Sequence, residues 1–305
     1  DADGVADVYD NCALDANPDS LFIKWQDQGV ESVVPRSDAM RNPDRDVLLA
    51  LLALLSAVLL HAATNLINDY YDVVNGVDTV QAATAQYRPH PLVEGRLPLE
   101  QVRWAAYGLF SLAAAIGIYM TLVCGWVVLV IGLTGLLAGL TYTAPPLKYK
   151  YVALGEVSVF LMWGPLMVEG AYFVQRQGLS LQALWVSLPF GVLVALVLLA
   201  NNIRDIDHDR QRGIRTLAIL LGHRMGLQTY LALMVLAYAG ILALALSGVL
   251  TLWGLIIFIS LPLAIKLLRQ MTRAIPSNAD AMTAKLDTAF GLLLVAALIL
   301  EGVVG

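Results

Sequence analysis

The chain has 305 residues, of which 58% are hydrophobic and only 14% charged, with a net charge of −5. Soluble globular domains carry roughly a quarter charged residues, so this balance excludes a soluble enzyme core and indicates an integral membrane protein. The net charge says little about partners because much of it sits in the first 46 residues; a lipid bilayer is the expected surrounding, and no nucleic-acid partner is expected.

Residues 1–46 differ in kind from the rest. They are polar, hold eleven Asp and Glu, and contain neither a membrane-length apolar run nor a signal-peptide pattern. The stretch from Asp1 to Cys12, followed by Asn17-Pro18-Asp19, resembles a thrombospondin type 3 calcium repeat. Alternate aspartates around a Gly turn can wrap oxygens about Ca²⁺. The tail is therefore expected to be disordered or to form a weak calcium loop over 1–20, with a membrane domain following over 47–305.

Apolar stretches near the roughly 20-residue length of a bilayer-crossing helix follow at 47–68, 104–122, 124–143, 152–174, 181–203, 226–247, 250–268 and 286–304. Membrane strands would alternate apolar and polar residues; these runs are continuously apolar and rich in Leu, Ala and Gly. An all-α, polytopic transmembrane bundle of about eight helices is therefore predicted.

The first span runs into Asn65-Leu66-Ile67-Asn68-Asp69-Tyr70-Tyr71-Asp72, with Asp78 beyond it. On a helix, Asn65, Asn68/Asp69 and Asp72 share one face, where their oxygens can hold a hard cation together. A long polar loop follows, including Tyr87-Arg88-Pro89-His90-Pro91-Leu92-Val93-Glu94-Gly95. Structureless loops of that length are uncommon and more often functional, such as an active-site cover. The span at 124–143 ends in Tyr142-Thr143-Ala144-Pro145-Pro146-Leu147-Lys148-Tyr149-Lys150, where the prolines stop the helix. Its lysines read either as snorkelling anchors or as phosphate or carboxylate contacts. Glu156 and Glu169 are ionisable groups at or in the next span, which marks a functional cavity by default. The span at 181–203 delivers a second acidic run, Asn201-Asn202-Ile203-Arg204-Asp205-Ile206-Asp207-His208-Asp209. Asp287, at the start of the last span, reads as a helix N-terminal charge. Two cysteines, Cys12 and Cys124, supply no disulfide framework.

Lys and Arg concentrate in alternate loops: 69–103, 144–151, 204–225 and 269–285 hold thirteen, whereas the intervening loops hold only Arg176. Positive residues are retained on the cytoplasmic side. Both acidic runs are thereby expected at the cytoplasmic face. Carboxylates from two helices there, surrounded by Arg and Lys, suit Mg²⁺ ions gripping a diphosphate, and the span interior suits a long lipid tail. A secondary transporter or ion channel would place acids nearer the bilayer midplane.

The run from 47 to 303 resembles the UbiA-type intramembrane aromatic prenyltransferases, most closely those acting on 1,4-dihydroxy-2-naphthoate in menaquinone synthesis. The resemblance is carried by residues 65–78, 87–95, 142–149, Gly164-Pro165-Leu166-Met167 and 201–210. It implies transfer of a polyprenyl group from polyprenyl diphosphate to the naphthoate with loss of diphosphate and CO₂, in the inner membrane of a bacterium or archaeon. It also implies that Asn68, Asp72, Asp78, Asp205 and Asp209 hold Mg²⁺, with Asn65, Asp69 and Asn201 adding diphosphate or metal contacts. Arg88, Lys148 and Arg204 would touch phosphate or acceptor. Catalysis would rest on Asp72, Asp205, Arg88, Lys148 and Tyr142, with Tyr70, Tyr71 and Tyr142 able to face the allylic cation. Homogentisate, 4-hydroxybenzoate or haem as acceptor, or an inactive lipid-binding homologue, are the alternatives. The family has nine helices, so the first is expected to be missing here.

Overall fold

The computed structural model describes the backbone of two short strands and residues 43–80 and 89–304. The calcium-loop reading of residues 1–20 and the site assignment of Arg88 lie outside the described residues. The strands, β1 (Phe22–Lys24) and β2 (Glu31–Val33), pair antiparallel, with Ile23 opposite Ser32. All else of regular structure among the described residues is helical.

The membrane helices are α1 (Pro43–Val74), α2 (Leu99–Cys124), α3 (Trp126–Thr141), α4 (Gly155–Arg176), α5 (Leu181–Arg204), α7 (Leu217–Leu246), α8 (Leu252–Arg273) and α9 (Ala279–Val304). A short helix, α6 (Ile206–Gln211), separates α5 from α7. Seven of these are long and apolar enough to cross a bilayer, and α3 is a shorter apolar helix of 16 residues. The eight runs read from hydropathy thus correspond to eight helices among the described residues of an integral membrane bundle, seven of them long enough to cross a bilayer. Helices satisfy every backbone polar group within one segment, which lipid requires.

Several helices extend past their apolar runs. With 32 residues α1 is about 48 Å long, well over the roughly 30 Å hydrocarbon core, so Asn65–Asp72 occupies helical turns within it rather than the chain beyond it. Likewise α9 begins at Ala279, seven residues before its expected start. Asp280 therefore holds its first turn, and Asp287 stands two turns inside instead of serving as the N-terminal charge. Hydropathy marks where lipid begins, whereas a helix continues for as long as its backbone bonds pay no penalty in the interface.

The bundle divides in two. A large apolar core joins α5, α7, α8 and α9, including Leu193, Leu196, Tyr230, Ile241, Ile257 and Phe290. In the other half, smaller clusters join α1 to α2, around Ala63, Ile67, Ala106 and Phe110, and to α4, around Leu49 and Phe173. The halves meet where α4 crosses α5. Pro165 lacks an N–H, and the Met162–Leu166 stretch around it widens into a π-turn. Here Gly164 faces Gly191, and a Cβ on Gly191 would lie 2.9 Å from the Gly164 Cα and 3.0 Å from the Phe160 carbonyl oxygen. Only glycines permit that approach, and it sets how the inner ends of α4 and α5 stand relative to each other.

Candidate active site

The site begins with the way α1 ends. The Asp72 carbonyl accepts from Val77 and Asp78 N–H at 2.7 and 3.1 Å, and Gly76 (φ +70°) turns the chain back. That reversal brings Asp78 beside Asp69. Their carboxylates and a ring nitrogen of His90 all lie within 4.8 Å of one another. His90 Nδ1 accepts from the Val93 N–H at 3.3 Å, so the neutral ring carries its proton on Nε2 and donates to Asp78 at 3.2 Å. Burial, then the Asp72 charge, raises Asp78 above the usual carboxylate range, with Lys150 and His90 pulling the other way.

The segment between α3 and α4 supplies the cation. Lys148 adopts a left-handed conformation (φ 46°), and Tyr149–Tyr151 form a single 3₁₀ turn. The turn sends Lys150 inward, where its Nζ donates to Asp72 Oδ2 at 2.6 Å and to Asn68 Oδ1 at 2.9 Å. Tyr151 donates to the other Asp72 oxygen at 2.5 Å. Asp72, only 3% exposed, thus has both oxygens engaged. Burial alone would lower Lys150, but the Asp72 carboxylate and neighbouring tyrosines outweigh it and hold the ammonium above its ordinary value. Its Nζ stands 5.8 Å from the ring centroids of both Tyr142 and Tyr151. Lys148, by contrast, reaches Asn75 Oδ1 at 3.5 Å.

The second acidic run closes over the first. From α6 and the turn after it, His208 Nε2 donates to the Val77 carbonyl at 3.0 Å and Arg212 Nε to the Gly76 carbonyl at 2.5 Å. The Arg215 N–H donates to the Tyr151 carbonyl at 3.1 Å. Asp209, buried in this junction, is pushed up to about 6 by burial and then by Asp205, against the pull of Lys150. Arg204 is engaged by protein groups: it holds both Asp205 oxygens at 2.9 and 2.6 Å and Asp280 at 2.7 Å, and it also donates to Asn201 Oδ1 at 2.7 Å and to the Ser277 carbonyl at 3.0 Å. It ties the end of α5 to the start of α9 and orients Asp205.

The structure therefore gathers Asn68, Asp69, Asp72, Asp78, Asp205 and Asp209 at one end of the bundle, with Asn201 engaged by Arg204. Asn65 lies exposed one turn back, 3.1 Å from His61. Tyr142 stacks edge-on to Tyr149 at 5.3 Å, beneath Lys150, whereas Tyr70 and Tyr71 pair with each other at 5.0 Å. Tyr151, His90, His208 and Arg212 are additions that sequence reasoning did not single out for roles, whereas Lys150, read there as an anchor or as a phosphate or carboxylate contact, makes the carboxylate contact. For Lys150 the signal was present, since both lysines sit in the same basic segment, but helical or strand spacing cannot tell which one a left-handed residue turns inward.

The arrangement fits a hard divalent cation. Its donors are carboxylate and amide oxygens drawn from two helices. Two of the carboxyls are raised by burial and then by neighbouring negative charge, and an ammonium already bridges Asn68 and Asp72 as a cation would.

Residues 39–296 match the model of the UbiA prenyltransferase family. The chain is 32% identical over 258 residues to 1,4-dihydroxy-2-naphthoate octaprenyltransferase of Bacillus subtilis (strain 168), covering 82% of this chain and 80% of that protein. It is 33% identical over 258 residues to UbiA prenyltransferase domain-containing protein 1 of Danio rerio, covering 84% and 74%. Among solved structures, the apo UbiA homologue from Aeropyrum pernix K1 superposes with a TM-score of 0.57 at 19% identity, over 85% of this chain and 96% of that one.

Proposed function

The chain belongs to the UbiA prenyltransferase family, and on that premise we propose that it moves a polyprenyl group from polyprenyl diphosphate to 1,4-dihydroxy-2-naphthoate. Diphosphate and CO₂ leave, and demethylmenaquinone forms in its hydroquinone state. The observation that carries this reading is the meeting of two acid-bearing helix ends around Lys150, at the mouth of an apolar bundle. That is where a charged diphosphate and a greasy tail part company.

Mg²⁺ is the proposed cofactor, held by Asn68, Asp72 and Asp78 on one side and Asp205 and Asp209 on the other, with Asp69 and His90 adjoining the first set. When bound it neutralises the leaving diphosphate. Lys150 adds a fixed positive charge beside Asp72, and Arg204 keeps Asp205 aimed by occupying the outer sides of its carboxylate. As the allylic C–O bond breaks, its electron pair leaves with diphosphate. The Tyr142 ring offers a π-face to the cation that remains. The ring carbon bearing the carboxylate then bonds to the allylic carbon, and loss of CO₂ from that carbon restores the aromatic ring. The packed helices keep water from the cation.

The naphthoate is favoured over other aromatic acceptors by the likeness to the 1,4-dihydroxy-2-naphthoate octaprenyltransferase of Bacillus subtilis. The basic loops beside the site support a location at the cytoplasmic face, and the inner membrane of a bacterium or archaeon is the proposed setting. Membranes containing the chain, given dihydroxynaphthoate, a polyprenyl diphosphate and Mg²⁺, should form demethylmenaquinone. Turnover with 4-hydroxybenzoate or homogentisate but not the naphthoate would reassign the acceptor, and absence of all prenyl transfer would sink the proposal.

A further inference from the structure

One buried acid takes no part in the metal and diphosphate site. Glu156, in the first turn of α4, is 6% exposed. Its Oε1 accepts from Asn202 Nδ2 at 2.8 Å, while Oε2 is buried and has no hydrogen-bond partner among the described residues. A buried acceptor left unpaired is costly, and its persistence asks what it meets when the site is in use.

Its surroundings answer in chemical terms. Asn202 precedes Asp205 by three residues on α5, about 4.5 Å further toward the apolar interior, so the Glu156–Asn202 pair lies one layer below the acids. Leu198 and Tyr142 border the start of α4 in this layer. A Cβ on Gly155, the residue before Glu156, would lie 3.2 Å from Leu198 Cδ2, 3.6 Å from Tyr142 Oη and 3.8 Å from the Lys150 Cα, so the start of α4 packs against α5, Tyr142 and the turn that carries Lys150. Tyr142 and Tyr149 stack edge-on beside it. A ligand in this layer would meet apolar and aromatic side chains and has to bring a hydrogen-bond donor for Oε2.

We propose that the Glu156–Asn202 pair is the acceptor-positioning site, with Glu156 Oε2 accepting a hydrogen bond from a ring hydroxyl of the aromatic acceptor. Asn202 holds Oε1 so that Oε2 alone is offered. The hydroxyl bond fixes which ring carbon lies beneath the leaving diphosphate. This assignment rests on the proposed prenyl transfer to dihydroxynaphthoate and adds to it the group that reads the acceptor.

Glu156→Gln separates this role from simple packing, because Gln keeps the shape and an oxygen for Asn202 but turns the other position into a donor. With the full chain in lipid, the KM for dihydroxynaphthoate should rise about tenfold or more while that for polyprenyl diphosphate stays within about twofold. On the wild-type chain, naphthoates lacking one or other hydroxyl serve as competitive inhibitors. At least one of them should bind about tenfold more weakly than the dihydroxy compound, and Glu156→Gln should erase that difference. An unmoved acceptor KM, an equal rise in both KM values, or wild-type indifference to both missing hydroxyls would overturn the inference while leaving the transfer reaction intact. The inhibitor series needs no variant, so poor folding of Glu156→Gln would not shield it. A wild-type chain without naphthoate turnover would remove both readings.

Discussion

The two halves of the bundle are built by different means. Around α5 the C-terminal helices share one continuous apolar core, and 56% of the most apolar stretch of α5 is buried, against 17% for α1. The N-terminal half shows lipid more of its surface and packs in small patches. Lipid tails are as apolar as leucine, so neither arrangement gains from the hydrophobic effect what it would in water; packing and polar contacts decide. What differs is where the polar contacts go. In the C-terminal half they are largely internal ties, such as Tyr230 to Thr283 at 2.8 Å and Tyr238 to Ser260 at 2.6 Å. In the N-terminal half they converge on the candidate site, and its acids themselves help to hold α1 to the α3–α4 turn. One half acts as scaffold; in the other, stability and chemistry share the same side chains.

The largest test of that division is removal of a carboxylate. Asp72→Asn and Asp205→Asn should each cut turnover by about 10³-fold or more in reconstituted protein. Near-full activity in either would undo the metal assignment. Next comes the pair of lysines. Lys150→Met should lower turnover about 10²-fold and also destabilise the N-terminal half by roughly 3 kcal/mol, because it strands Asp72 as a buried unpaired charge. Lys148→Met should change either by no more than a few-fold, and equal effects from the two would show that the turn does not select between them.

At the seam, Gly191→Ala would force α4 away from α5 at a cost of about 1–3 kcal/mol, read as lower thermal stability in detergent. Turnover should fall with it, because Glu156 and Asn202 lie on the same two helices. The smallest effect concerns pH. Asp209 titrates near 6 in the fold against an ordinary 3.8, so the folded state binds that proton more tightly. Its contribution is favourable at low pH, declines as pH rises from about 4 to 6, and above that is about 3 kcal/mol less favourable than at low pH. Metal-free Asp209→Asn should accordingly be more stable than wild type at pH 8 and should lose that advantage by pH 4. Equal stabilities at pH 8 would show that Asp209 is not strained.

Much of the fold was legible because a bilayer allows few solutions. A continuous apolar run of membrane length has to be a helix, and each of the eight runs overlaps one of the helices among the described residues to within a few residues at most ends. The acids were legible for a related reason: ionised groups are too costly beside lipid to sit at helix ends without partners. Other features depend on contacts across the chain. Glu156 and Asn202 are 46 residues apart, and no local spacing pairs them. His90 reads as a lone histidine until the turn at Gly76 swings Asp78 to it. Arg204 reads as a phosphate contact until Asp280, 76 residues on, takes up its guanidinium.

Composition and periodicity by themselves determined that this protein crosses a membrane as helices and carries two acidic runs on alternate loops of one side, because desolvation penalties act residue by residue along the chain. Tertiary structure decided which cation enters the site, which arginine is spent as a tie, and which acid is left with an open oxygen. Those outcomes follow from competition among charged groups for a few partners in a low-dielectric space, and the winners are set by the turns and helix crossings that bring them within hydrogen-bond reach.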